Sequence, residues 1–175
     1  LSKIMPGIST SHFEQGDNDA SNIAVFSRIP VEHIESLKIL GDGRPLLTVE
    51  VTSAGKSFVI YGVHPRTPFH ESGTWVRRFV TLSQEINSEA NPVVVVGDFN
   101  MMPWSPFFKS FLKESNLRDG RIGFGILPSW PTFLPSIFRI PIDHALVSKS
   151  VSVANIKLGP SLGSDHRLLL VDVVI

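Results

Sequence analysis

The chain contains no cysteine among its 175 residues. Disulfide frameworks and zinc sites built on thiolates are therefore excluded, while the cellular compartment stays undecided. The sequence also lacks a run of about 18 consecutive apolar residues, so we predict no membrane-spanning segment in it. An excess of charge of one sign is absent too, because 16 basic residues balance 16 acidic ones. A nucleic-acid or phosphate partner would therefore be bound through a local site and not by a broad basic surface.

What is present indicates a folded protein. Apolar residues make up 42% of the chain, and 175 residues are enough for one hydrophobic core. We therefore predict a single domain over residues 1–175, and we expect it to be a monomer. The chain begins Leu1-Ser2-Lys3, without an initiator methionine or a signal peptide, so we expect it to be a fragment of a longer protein.

The most informative stretch is Pro92–Phe108, with the sequence PVVVVGDFNMMPWSPFF. Its four consecutive valines are typical of a strand that is buried on both faces. Gly97 is expected to end that strand, which leaves Asp98 and Asn100 at its carboxyl end, where α/β proteins tend to place their sites. An alternative stays open at this point, in which the Asp and Asn side chains only cap backbone amides of a strand-to-helix turn.

The remaining chain reads as strands with two helices between them. Ser105 and Pro106 are a typical start for a helix over 106–114, and the spacing of Trp75, Phe79, Leu82 and Ile86 predicts a helix over 72–88. Residues 1–21 are polar and predict a loop or frayed end, and residues 118–141 predict a long, aromatic-rich loop. The strands are predicted over residues 22–29, 46–53, 56–63, 92–97, 142–148, 151–158 and 166–175. This order predicts a layered α/β domain with a mixed sheet.

Polar side chains that suit catalysis lie at the ends of four of these strands. They are His64, Asp98, Asn100, Asp143, Asp165 and His166. Carboxylate and amide oxygens suit Mg²⁺ or Mn²⁺, whereas zinc is disfavoured because histidines paired at ligand spacing are absent. A histidine that is held by a carboxylate can take a proton from water, and amide and imidazole donors can stabilise a phosphoryl group. The set is typical of metal-assisted hydrolysis.

The residues at these strand ends also resemble a known family. The motifs Gly97-Asp98-Phe99-Asn100, Ile142-Asp143-His144 and Gly163-Ser164-Asp165-His166, with Val63-His64-Pro65, occur in the order found in the endonuclease/exonuclease/phosphatase superfamily of DNase I-like enzymes. The resemblance covers residues 22–175. It implies a four-layered α/β sandwich, of which the C-terminal two-thirds would be present. Within the superfamily, the stretch over residues 130–144 looks most like bacterial YafD-like members, some of which are tethered to a membrane by an N-terminal segment.

The resemblance implies hydrolysis of a phosphoester by an activated water molecule. His166 would be the general base and Asp143 the carboxylate that orients it. Asp98 and Asn100 would position the water and the scissile phosphate, and His64 would donate to a phosphate oxygen. His144 is expected to be only a structural neighbour.

The implied cofactor is Mg²⁺ or Mn²⁺, with Asp98 and Asp165 as ligands. The superfamily also uses an N-terminal asparagine and a glutamate as the main metal ligand, both before the strand at 22–29. Glu14 lies in a polar segment without a strand before it, and we do not assign it that role. The missing glutamate makes an inactive binding domain one alternative.

For the substrate, a nucleic-acid phosphodiester is the first expectation, and a phosphomonoester or a phospholipid is the alternative. Besides His64 and Asn100, we expect Arg66, Arg139 and Trp130 to contact it. These two arginines are the few basic residues near the proposed site, which is thin support for a long duplex. The aromatic side chains of the loop could wall a substrate cleft or close the end of the core.

Overall fold

The four valines form an inner strand of a six-stranded sheet in the computed structural model of the protein, which describes residues 7–17, 22–38, 43–67 and 72–175. The strands are β1 (Thr10–Glu14), β2 (Ile23–Ser27), β3 (Val31–Leu37), β4 (Leu46–Ser53), β5 (Lys56–Val63), β6 (Val93–Asp98), β7 (Arg118–Asp119), β8 (Asp143–Val147), β9 (Ser152–Leu158) and β10 (Leu169–Val174). The helices are α1 (Ser72–Ser88), α2 (Pro106–Glu114) and a short 3-10 helix over Ser136–Phe138. In the part of the chain that the structure describes, none of the helices is long and apolar enough to cross a membrane.

The main sheet has the strand order β3-β4-β5-β6-β8-β7. β5 and β6 are parallel because α1 connects them, and the other neighbours pair antiparallel. The mixed sheet predicted from the order of the elements is therefore confirmed.

The valine strand is buried on both faces, as its sequence predicts. Val93 and Val95 pack towards the helices, in one core with Phe79 and Phe111. Val94 packs into a second core on the opposite face of the sheet. Successive side chains of a strand point to opposite faces, so an unbroken apolar run is needed to fill both cores.

Helices α1 and α2 cover the first face. Phe79, Leu82 and Ile86 are buried along α1, as the spacing predicted, whereas the side chain of Trp75 lies outside the described residues. The ring of Phe79 meets the ring of Phe111 of α2 edge to face, with 5.0 Å between their centroids.

The start of α2 agrees with the sequence in part. Ser105 is the N-cap residue and Pro106 follows at the first helical position, but the Ser105 hydroxyl makes no capping hydrogen bond. Phe108 is buried, whereas 46% of Phe107 is exposed, so Phe107 lies outside the core.

Two antiparallel ladders, β1–β2 and β9–β10, cover the second face of the main sheet. Val25 of β2 and Val153 and Val173 of the other ladder pack into the second core. The predicted layered α/β sandwich is thereby confirmed, with helices on one face of the six-stranded sheet and strands on the other.

Three strands were not predicted from the sequence: β1, β3 and the two-residue β7, which lies at the start of the stretch 118–141 that was predicted to be a loop. Within the polar segment 1–21, predicted to be irregular, Thr10–Glu14 forms β1, while residues 1–6 and 18–21 of that segment lie outside the described residues. β3, over Val31–Leu37, was assigned no element. β1 and β3 carry polar residues and are held by backbone pairing with one neighbour. Neither strand therefore shows the apolar alternation that reveals a strand in the sequence.

The last strand begins later than predicted. β10 starts at Leu169 and not at His166, because the backbone before it bonds elsewhere. The His166 amide donates to the Ser164 hydroxyl, and the Arg167 amide donates to the Ser129 carbonyl. These bonds take His166 out of the ladder and turn it towards the carboxyl end of β6.

Gly97 does not end β6, which continues to Asp98. Gly97 pairs with Val63 of β5, and a Cβ atom at position 97 would overlap the Val63 carbonyl group. Its φ of +148° is also one that residues with a side chain rarely adopt. Glycine is therefore required here for β5 and β6 to stay paired up to the residues that precede His64 and Asp98.

A buried hydrogen-bonded chain supports the segment that follows Asp98. His144 is fully buried, and its Nε2 lies 2.7 Å from the carbonyl oxygen of Met101. A carbonyl only accepts, so Nε2 carries the proton, and Nδ1 accepts from the Arg121 guanidinium at 2.8 Å. Arg121 in turn binds Asp119 of β7 through both carboxylate oxygens. His144 is thus a structural neighbour of the site, as expected, and it donates a hydrogen bond to the carbonyl of Met101.

Gly97→Ala should lower the free energy of unfolding by about 2–4 kcal/mol, because the new methyl group meets backbone that cannot move aside. Gly55→Ala is the matched control. Gly55 also has a positive φ, of +77°, but no atom lies within 4 Å of its Cβ direction, so only the backbone cost of about 1 kcal/mol is expected. Urea unfolding of both variants measures the difference, and equal losses would contradict the steric role of Gly97.

His144 should remain neutral, with its proton on Nε2, throughout the range from about pH 5 to 8. Burial and then the Arg121 charge lower the pKa of His144 to about 4. Long-range ¹H–¹⁵N NMR reads the tautomer directly. Arg121→Met should raise the pKa and loosen the tautomer preference, and a charged His144 at pH 6 in the unmodified protein would contradict this assignment.

Candidate active site

The polar residues predicted at strand ends meet at one edge of the main sheet. Asp98 ends β6, and Asp143 begins β8 directly opposite it in the antiparallel register. His64 follows β5, whose last residue, Val63, pairs with Gly97. An antiparallel strand starts where its neighbour ends, so residues 45 positions apart in sequence are brought to the same place.

His166 is held against Asp143. Its Nδ1 lies 2.9 Å from the Oδ2 atom of Asp143, and the Ser129 hydroxyl donates to the same oxygen at 2.5 Å. The hydrogen bond with Asp143 raises the pKa of His166 above its usual value, against a smaller opposing effect of burial. With Nδ1 directed at the carboxylate, the Nε2 atom is directed away from Asp143 and lies 3.9 Å from Oδ2 of Asp98.

The two oxygens of Asp98 have different surroundings. Oδ1 accepts the backbone N–H of Asn100 at 2.8 Å, which is the turn-capping bond that the sequence left open as an alternative. Oδ2 lies 3.7 Å from Nε2 of His64 and 3.9 Å from Nε2 of His166. Asp98 therefore caps the turn with one oxygen and faces both histidines with the other.

Burial has the largest effect on the pKa of the Asp98 carboxyl group. Only 15% of its side chain is exposed, and burial raises the pKa of this carboxyl group to about 6. The neighbouring Asp143 raises the pKa further, while the Asn100 amide, His166 and Arg44 lower it. The net rise means that the charge of Asp98 is incompletely compensated by the described protein groups.

Asn100 joins the segments that follow β5 and β6. It has a φ of +52°, a left-handed conformation that asparagine tolerates better than most residues. Its Nδ2 donates to the Pro65 carbonyl at 2.9 Å, next to His64. The side-chain amide therefore keeps the two segments together.

Asp165 and Trp130 contact each other beside His166. The indole Nε1 of Trp130 donates to Oδ2 of Asp165 at 3.0 Å, and the Trp130 ring centroid lies 6.2 Å from that of His166. The Thr132 amide donates to the Asp165 carbonyl at 2.8 Å. Trp130, predicted to contact the substrate, thus also fixes the loop that carries His166.

The two predicted substrate-binding arginines are placed differently. The Arg139 guanidinium donates to the Leu134 carbonyl at 2.7 Å and the Thr132 carbonyl at 3.0 Å, so it shapes its own loop. Arg66 is exposed and follows Pro65, whose carbonyl binds Asn100. Their contact with a substrate stays a prediction.

Ser129 is a site residue that the sequence analysis missed. It is fully buried, its hydroxyl binds Asp143, and its carbonyl accepts the Arg167 amide next to His166. It lies in the irregular stretch before Trp130, where no periodicity or motif distinguishes one serine from another. Only the packing of the loop against β8 reveals its place.

The residues present fit a hard divalent cation with few protein ligands. Within the described ranges, no three side chains of His, Cys, Asp or Glu form a group that could hold a metal ion. Mg²⁺ does not require such a group, because it is usually held by one or two carboxylates together with water and substrate phosphate. The buried and incompletely compensated carboxylate of Asp98 is a suitable ligand of this kind.

The fold is similar to that of several solved structures. An endonuclease/exonuclease/phosphatase family protein from Leptotrichia buccalis C-1013-b aligns with a TM-score of 0.80 and 14% identity, over 100% of this chain and 75% of that one. D. rerio TDP2 complexed with a single strand DNA product aligns with a TM-score of 0.74 and 18% identity, over 94% and 77% of the two chains. The mannosyl-6-phosphatase Bt3783 of Bacteroides thetaiotaomicron VPI-5482 aligns with a TM-score of 0.69 and 15% identity, over 99% and 79%. These identities establish a shared fold.

None of the curated proteins matches this chain. The sequence profile of the Endonuclease/Exonuclease/phosphatase family, by contrast, matches residues 6–166, which is most of the chain and includes every strand end described above. The predicted DNase I-like fold and the predicted family are therefore confirmed. The chain belongs to the endonuclease/exonuclease/phosphatase family.

Proposed function

We propose that this protein hydrolyses a phosphodiester with an activated water molecule, in a reaction that depends on a divalent metal ion. The observation that carries the proposal is the pairing of His166 with Asp143, which leaves the second ring nitrogen of His166 directed towards the Asp98 carboxylate. A histidine oriented by a carboxylate is the usual arrangement of a general base. The family to which the chain belongs contains phosphoesterases.

In the proposed reaction, Nε2 of His166 takes a proton from water while the water oxygen forms a bond to phosphorus. The bond between phosphorus and the leaving-group oxygen breaks, and that oxygen takes a proton from solvent to become an alcohol. The His166 imidazolium then returns its proton to solvent. Asp143 keeps the proton on Nδ1 and stabilises the imidazolium that forms. His64 would donate to a phosphate oxygen, while Asp98 and Asn100 would position the water and the phosphate.

A bound Mg²⁺ or Mn²⁺ would be held by Asp98 and Asp165, and it would neutralise charge on the phosphate and the leaving oxygen. The raised pKa of Asp98 supports this assignment, because a cation would stabilise the buried carboxylate that the protein alone leaves poorly compensated.

A phosphodiester is preferred as the bond that is cleaved. The resemblance to the family makes a nucleic acid the first expectation for the substrate, and a phosphomonoester or a phospholipid is the alternative. The similar structure with a single strand DNA product supports that choice, whereas the similar mannosyl-6-phosphatase supports a phosphomonoester. Arg66, Arg139 and Trp130 remain the proposed substrate contacts. The alternative is a domain that binds a ligand without turnover, and measurements of hydrolysis distinguish it from an enzyme.

His166→Ala should lower kcat for a soluble phosphodiester in Mg²⁺ by about 10²–10⁴-fold, because the general base is removed. Substrate affinity should be largely kept, and EDTA should abolish turnover by the unmodified protein. His33→Ala, at an exposed position on β3, controls for loss of an imidazole elsewhere. Turnover near the unmodified rate in His166→Ala would refute the assignment of the base.

Asp143→Asn should lower kcat by at least about tenfold and also move the pH profile. The base works when His166 is neutral, so activity rises with pH through the pKa of His166, which Asp143 raises. Loss of the carboxylate lowers that pKa, and the acidic limb should therefore move to lower pH. Asp172→Asn, at an exposed position on β10, is the matched control. An acidic limb that stays in place would contradict the pairing of His166 with Asp143.

A further inference from the structure

Six consecutive residues, 133–138, are all exposed although four of them are large and apolar. This apolar segment has the sequence Phe-Leu-Pro-Ser-Ile-Phe. The exposed fractions are 76% for Phe133, 80% for Ile137 and 64% for Phe138. Soluble proteins seldom expose a contiguous group of such side chains, and those that do generally use it for binding.

The apolar segment is held in place at its base. Ser129 and Trp130 donate to the Ile140 carbonyl at 3.1 Å each, and the Ile140 amide donates back to the Trp130 carbonyl at 2.6 Å. The Arg139 guanidinium binds two carbonyls within the loop. These bonds present the side chains outwards and oppose their collapse onto the protein, which lowers the entropy lost when a partner binds.

The same loop is hydrogen-bonded to the catalytic edge, by which we mean the end of the main sheet that carries His64, Asp98 and Asp143, together with Asp165 and His166 beside it. The Thr132 amide donates to the Asp165 carbonyl at 2.8 Å, and the Thr132 hydroxyl donates to the Ser164 carbonyl at 2.9 Å. Leu162, two residues before Ser164, is itself 72% exposed. An apolar surface therefore begins within a few residues of His166.

The charges near segment 133–138 favour an uncharged partner over a nucleic acid. The sequence contains no charged residue between Arg121 and Arg139. Arg121 is buried against Asp119, and the guanidinium of Arg167, beside His166, donates to the Gly159 carbonyl. Arg66 and Arg139, the two arginines proposed to contact the substrate, are few cations for a polyanionic backbone, whereas a nucleic acid is held mainly through cations. A surface without net charge matches an uncharged, apolar loop better.

We propose that segment 133–138 docks on a zwitterionic phospholipid surface and brings the catalytic edge to a phosphodiester in the lipid headgroups. A protein partner or a second copy of the chain on this segment would lie close to Asp165 and His166 without bringing a substrate, whereas a lipid surface supplies the substrate along with the contact. Phe and Ile side chains that enter the headgroup region are a common means of interfacial binding. Cleavage of the lipid rests on the proposed function, but docking does not.

The test compares the unmodified 175-residue chain with the variant Phe133→Ser/Ile137→Ser/Phe138→Ser. Phe13→Ser/Phe26→Ser/Val174→Ser is the matched control, because it removes three side chains that are 61%, 45% and 57% exposed on the two-stranded ladders. All three proteins are sedimented with phosphatidylcholine vesicles and assayed on a small soluble phosphodiester with Mg²⁺. Binding to a single-stranded oligonucleotide is measured in parallel, and circular dichroism checks folding.

The unmodified chain and the control should sediment with the vesicles, and the segment variant should bind at least about tenfold more weakly. Hydrolysis of the soluble ester should be equal in all three. Vesicle binding that is absent from the unmodified chain, or unchanged in the segment variant, overturns the proposal, and a loss of oligonucleotide affinity confined to the segment variant would assign the segment to base stacking. If no protein hydrolyses the soluble ester but the segment variant alone loses vesicle binding, docking stands and the proposed function fails.

Discussion

The close approach of Gly97 to the backbone of Val63 is the constraint on which the candidate active site depends. It lets β5 and β6 remain paired to their last residues, so that His64 and Asp98 leave the sheet side by side. The antiparallel β8 then begins opposite Asp98 and supplies Asp143. Three chemical groups thus take their positions from backbone hydrogen bonds, which are more rigid than side-chain contacts. The Met101 carbonyl, held by His144, steadies the segment beyond Asp98.

The site combines two carboxylates and two histidines whose electrostatic environments differ. Asp143 raises the pKa of His166 through a direct hydrogen bond, whereas burial raises the pKa of Asp98. The hydrogen bond with Asp143 orients the His166 ring, and burial disfavours the charged form of Asp98. A base and a metal ligand in neighbouring positions are what the proposed hydrolysis of a phosphoester requires. One oxygen of Asp98 is meanwhile engaged in the turn, which fixes the direction of the other.

The loop over residues 129–140 connects this chemistry to the surface of the protein. Its buried end supplies the Ser129 hydroxyl to Asp143, and the Trp130 indole to Asp165. Its exposed end carries the apolar segment 133–138. Because the backbone bonds between residues 129–130 and Ile140 close the loop, the two ends form one ordered unit. The same unit that contacts Asp143, the partner of the proposed general base, therefore also presents the surface that we propose contacts lipid.

The sequence by itself determined the helices, the central strands and the strand-end residues of the site, because these features leave local patterns. Four consecutive valines predict a strand that is buried on both faces, and apolar residues at helical spacing predict α1. The polar strands β1 and β3 left no such pattern, since backbone pairing with a neighbour holds them. Tertiary structure alone decided that Ser129 meets Asp143 and that His144 holds Met101, because contacts between residues 14 and 43 positions apart depend on packing. It also decided that the apolar side chains of 133–138 face solvent near the candidate active site, whereas the sequence suggested either the wall of a cleft or a plug for the core.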